Sequence, residues 1–113
     1  MGVTKKLKIP LYGSTLKIIQ TNNFNKVEKQ HGLENLHGID AFAFRKYRKN
    51  GSAKYYLVFG KNVKPGYIAH EALHLVGLIY EDINAVLEYE NDEPQCYLIE
   101  WIVEKCHKHL KLK

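Results

Sequence analysis

A chain of 113 residues can bury one small hydrophobic core but not two, so a single domain over residues 1–113 is expected. Its 45% hydrophobic and 26% charged residues exclude a disordered segment, and no apolar run approaches the roughly 20 residues that span a bilayer. The net charge of +5 is unevenly placed: residues 1–64 carry 13 Lys/Arg against 3 Asp/Glu, and residues 65–113 carry 4 against 9.

Met1 to Lys8 has charges without an apolar stretch behind them, which predicts no secretory signal. The first 64 residues read mainly as strands. Thr15–Thr21 holds the β-prone run Leu16, Ile18 and Ile19, and Phe24–Gln30 suits a short helix with polar faces, closed by Gly32. Ile39–Tyr47 and Lys54–Gly60 are aromatic and branched, with Asn50-Gly51 between them. That dipeptide marks a hairpin, because both residues tolerate positive φ. After Pro65-Gly66 the period becomes helical: Ile68, Ala69, Ala72, Leu75, Val76 and Ile79 gather on one side, and Pro65 suits a helix start. A connection from Glu81 to Asp92 leads to a last helix, which opens at Asp92-Glu93-Pro94 and runs to about Leu110. Acidic groups stand at its positive end and Lys105, Lys108 and Lys111 at its negative end, while Ile99, Ile102, Val103, Cys106 and Leu110 are expected in the core. This order predicts an α+β domain, a short mixed or antiparallel sheet with helices on one face. Cys96 and Cys106, ten residues apart on one helix, stand roughly 15 Å apart and cannot pair. Free thiols point to a cytoplasmic setting.

The sharpest signal is His70-Glu71-Ala72-Leu73-His74, an HExxH motif on a helix. Residues i and i+4 share a helical face, about 6 Å apart at Cβ, so two imidazoles so placed can reach one Zn²⁺. Glu71 lies roughly 100° round the helix, where it reaches a water rather than the metal, the place of a general base. Because this helix is apolar nearly all round, the two histidines and the glutamate are expected to be enclosed and in need of partners; hydrogen bonds to carboxylates in a plain core would also provide them. A catalytic zinc needs a third protein ligand and an open position. Glu90, Asp92, Glu93, Glu100 and His107 are the candidates, and Glu93 and Glu100, about 10 Å apart along one helix, cannot both bind one ion. Glu104, His107 and His109 read as surface groups.

The metzincin pattern would place a third histidine where Tyr80 stands, and this chain departs from it. Glu93, 19 residues after His74 in Asn91-Asp92-Glu93-Pro94-Gln95-Cys96-Tyr97, resembles the third ligand of gluzincin-type metallopeptidases. HEALH followed by NDEPxxYL is also similar to small zincin-like proteins encoded by phages, over Ile68 to Lys108. The resemblance implies zinc held by His70, His74 and Glu93, with Glu71 as base. Gluzincins usually place an acid four residues after the ligand glutamate; here that position is Tyr97, which with Tyr80 is a candidate to support the ligands. Tyr67, Tyr80 and Tyr97 are also the nearest hydroxyls that could stabilise an oxyanion.

The function implied is hydrolysis of peptide or other amide bonds in a peptide or protein substrate, with Lys54–Gly60 as the edge strand on which an extended peptide would lie. Two other classes remain. One is a non-catalytic structural or interaction module, such as one of a virus particle, in the cytoplasm of the host cell if viral. The other is a nucleic-acid-associated protein using the basic first half, with Phe42, Phe44, Tyr47, Tyr55 and Tyr56 as stacking groups and weak, non-specific binding.

Overall fold

The computed structural model describes residues 3–10, 13–32 and 40–112. In chain order the elements are β1 (Val3–Lys8), β2 (Thr15–Gln20), α1 (Phe24–His31), β3 (Ala41–Tyr47), β4 (Ala53–Phe59), α2 (Pro65–Asp82) and α3 (Glu93–His109). The strands form a mixed sheet in the order β1-β2-β4-β3. β1–β2 and β3–β4 pair antiparallel, while β2 and β4 run parallel. An α+β class with a mixed sheet is therefore observed, with the expected helix order and one strand, β1, added before it.

The β3–β4 hairpin forms where Asn50-Gly51 predicts it, but the turn differs. Gly51 has φ +89° and Asn50 does not share the left-handed region. The Gly51 N–H donates to Arg48 O, the Arg48 N–H donates to Ser52 O, and the Asn50 side chain accepts from the Ser52 N–H. A turn closed by a left-handed glycine needs positive φ at only one residue. Ile39, the expected start of this strand, lies outside the described residues.

Alternation along the strands separates two apolar layers. Leu16, Ile18, Tyr55, Leu57 and Phe59 face α2 and α3, joining Ile68, Ala72, Leu75, Val76, Ile79, Leu98, Ile102 and Cys106 in the main core. Ile19, Tyr56 and Val58 face the other way and meet Val27 of α1. The helices thus occupy both sheet faces, not one, because α1 has its own small apolar contact to bury. Asn23 caps α1 by accepting from the Lys26 N–H, and Gly32, at φ +67°, ends it as expected.

β4 was expected at the edge but lies between β2 and β3; among the described residues the edge strands are β1 and β3. Its run Tyr55–Phe59 is buried on both faces, the pattern of an interior strand. Beyond α3, the chain returns to the end of β2. Gln20, itself buried, accepts from the Lys111 N–H at 2.8 Å and donates to Lys111 O at 2.9 Å.

Candidate functional site

α2 is held at its C-terminal end by a polar cluster that the motif search did not reveal. Tyr47 and Tyr55 both donate their hydroxyls to Asp82. Arg45 pairs with Glu81 and Asp82 and donates to Leu78 O. Carboxylates at the negative end of a helix dipole are unfavourable unless partnered, so Glu81-Asp82 at a helix terminus was the available clue. Burial would raise the Asp82 carboxyl, but bonds from Tyr47 and Tyr55 and the charge of Arg45 outweigh it and hold the group below its ordinary value. The effect is to fix α2 across β3 and β4. At the other end Pro65 occupies the first turn, and Tyr67 donates to Asp40 at 3.3 Å.

Between these anchors lies HExxH. Nε2 of His70 and Nε2 of His74 approach to 3.2 Å, with their rings inclined at 69°. Two nitrogens at two corners of a zinc tetrahedron, with bonds of 2.0–2.1 Å, stand about 3.3–3.4 Å apart. The imidazole pair therefore matches one edge of that tetrahedron. Without a metal the same contact is an N–H···N hydrogen bond, which on an exposed helix face competes with water.

Glu71 is the inner member of the motif, only 7% exposed, and its Oε2 lies 3.8 Å from His70 Nε2. Burial raises its carboxyl above the ordinary value, and the two histidines pull it partly back. The raised value makes this carboxylate a stronger base than an exposed glutamate towards a water beside the imidazoles.

Two expectations fail here. The His70 side chain is 67% exposed, His74 is exposed too, and so are Ala69 and Leu73. The helix is apolar nearly all round in composition but buries only one side, so enclosure of the histidines cannot be the reason for a metal. Their exposure instead makes them accessible. The second concerns α3, whose inner row is Leu98, Ile102 and Cys106, followed by Leu110; Ile99 and Val103 are half-buried on its flanks.

Glu93 stands exposed on the first turn of α3. Among the described residues, no three His, Cys, Asp or Glu side chains are grouped closely enough to hold one metal ion. The two imidazoles meet each other, Glu71 lies beside His70 rather than forming a third ligand, and Glu93 does not join the pair. Glu90, Glu100, Glu104 and His107 are exposed, and Asp92 and His109 are half-buried. Of the tyrosines, Tyr80 is buried, Tyr97 is 64% exposed and Tyr67 is engaged with Asp40. Cys96 and Cys106 are both free thiols, as expected. No described helix is long and apolar enough to cross a membrane. Comparison with protein-family models, curated proteins and solved structures gives no match to this chain.

Proposed function

We propose that this protein is a zinc-dependent hydrolase of peptide bonds, with His70 and His74 as metal ligands and Glu71 as general base; the spacing from His74 and the resemblance to gluzincins give Glu93 as the third protein ligand, which zinc would have to draw towards the imidazoles. The observation that carries the reading is the 3.2 Å approach of two accessible imidazole nitrogens beside a buried carboxylate. Zinc held there would supply Lewis acidity, acidifying water and polarising a carbonyl. The chain's own contribution is positional. α2 sets the imidazoles one turn apart, and Glu71 receives a proton from water and returns it to the leaving amine. Since β4 is interior, an extended peptide would pair with the free edge of β3, the strand that α2 crosses.

The test is metal content and peptide cleavage of purified protein. One zinc per chain is expected, lost in His70→Ala and His74→Ala, weakened in Glu93→Gln, and retained in Glu71→Gln, which should no longer cleave. Stoichiometric zinc in both histidine variants would refute the site. Zinc uptake without cleavage of any peptide would make it a structural or interaction module instead.

A further inference from the structure

Among the described residues, α1 covers part of the sheet face turned away from α2 and α3, and Lys6 and Lys8 of β1 stand exposed beside it. Where α1 ends, the register lines up lysines across the strands. Lys6 of β1 stands opposite Lys17 of β2, and Lys46 of β3 stands opposite Lys54 of β4. Lys8, two residues from Lys6, lies on the same face by alternation. Lys6, Lys17 and Lys54 line one shared concavity with Thr15 and Tyr56. None of the four strands contains an Asp or Glu; α1 contributes one carboxylate, Glu28.

This arrangement costs the fold stability, because like charges directly opposite one another in antiparallel strands repel. Their field converges on His31, which packs on Tyr56 and Phe44 with ring centres 4.8 and 5.4 Å away. Burial and then the charges of Lys46, Lys17 and Lys54 hold that imidazole below its ordinary value. Lys17 also borders a second groove, of about 490 Å³, between β2 and α1, where Asn22, Asn23, Gln30 and Lys26 line the wall.

We infer that this face binds single-stranded nucleic acid through its phosphates, independently of the metal site. Five lysines on one face, with like charges opposed, are complementary to a polyanion. The adjoining groove offers amide side chains, which hydrogen-bond the base edges that only an unpaired strand leaves open. An anionic membrane is a poorer match, since a membrane-docking surface sets large exposed apolar groups beside its cations. Among the described residues, the exposed large hydrophobics come from β3, α2, α3 and the segments beside those helices, and Tyr47 of β3 turns to Asp82 on the opposite face. Tyr56 is buried beneath His31, so stacking on aromatics is not the main attraction.

The experiment is fluorescence anisotropy of a labelled, mixed-sequence single strand of roughly 20 nucleotides, longer than a domain of this size occupies. Between about 50 and 200 mM salt, five phosphate contacts give a slope of about −3.5 in log affinity against log salt. Lys6→Gln/Lys17→Gln/Lys54→Gln should lose at least about tenfold in affinity and flatten the slope by about 2. Lys29→Gln/Lys61→Gln/Lys108→Gln, with the same net charge, should stay within about twofold of the parent. Lys6→Arg/Lys17→Arg/Lys54→Arg should bind like the parent, which separates lost charge from lost folding. Equal losses in the two glutamine variants would overturn the assignment to this face. So would salt-insensitive binding, a preference for the duplex of the same sequence, or tighter binding to phosphatidylserine vesicles than to the strand.

Discussion

The two faces of the sheet are stabilised by different means. On one, α2 and α3 close over a continuous apolar core, and the polar cluster at the end of α2 is partnered through Asp82. On the other, Ile19, Val27, Tyr56 and Val58 make a small contact, and beyond it lysines face lysines. The contrast teaches that the fold depends on the first face, which leaves the second free to carry charge that folding does not require. Of the proposed catalytic groups, His70 and His74 stand on the outer side of α2 and Glu71 is buried, with the large core beneath the helix. A constellation that must be held to fractions of an ångström belongs on such a support.

The largest test of the contrast is a pair of truncations. Leu75→Ala, on α2 at zero exposure, should cost about 2–5 kcal/mol in urea unfolding. Val27→Ala, under α1, should cost roughly 1–2 kcal/mol, the value of the two carbons removed. If the two costs are equal, the faces are not unequal in the way described.

The polar margin is next in size. Tyr55→Phe leaves Asp82 without one of its two hydroxyl donors and should cost about 1–3 kcal/mol at neutral pH. The pH dependence has a fixed sign. Asp82 is held below its ordinary value in the folded state, so its contribution is complete above about pH 4, the unfolded carboxyl's pKa. It is lost as pH falls through the lower, folded value. Asp82→Asn should therefore be less stable than the parent at neutral pH, and the difference should shrink on acidification; a gap that widens would contradict the network.

Smaller effects sharpen the picture of the basic face. Lys6→Gln/Lys17→Gln/Lys54→Gln should raise the melting temperature by about 1–3 °C at low salt, and added salt should erase the gain. A fall in melting temperature would mean that these lysines support the fold. The last test leaves stability untouched. Burial pushes the Cys106 thiol up to about 12, whereas Cys96 is exposed. A thiol reagent at neutral pH should label one cysteine quickly and the second only with unfolding; rapid double labelling would show that α3 opens.

How much of this was legible in the sequence depended on the length scale of each interaction. The hairpin, the α1 cap and the span of α2 follow from residues adjacent in the chain. β1 was missed because Val3–Lys8 is half lysine, as suits an edge strand that must not aggregate, and so lacks an apolar signature. The interior place of β4 was readable in the unbroken run Tyr55–Phe59, yet its parallel pairing with β2 joins segments separated by a helix and a strand. At the site, the i, i+4 rule put the imidazoles together correctly. Composition misjudged their exposure, because Ala69 and Leu73 are apolar residues that α2 leaves in water. The Asp82 cluster depends on the register of β3 against α2, which no local pattern encodes.

The return of the chain to Gln20 has a consequence for synthesis. That glutamine sits at the end of β2, and its backbone partners at Lys111 are 91 residues downstream. While the chain is being made, β1 and β2 can pair within moments of emerging, but the Gln20 amide must wait for the 91 residues that lead to Lys111. An interrupted product lacking Lys111 keeps a nearly buried amide with two of its bonds missing, at a cost of about 1–3 kcal/mol. The clamp therefore couples the two ends of the fold in time: a strand laid down early reaches full stability only when the far end of α3 has been delivered to it.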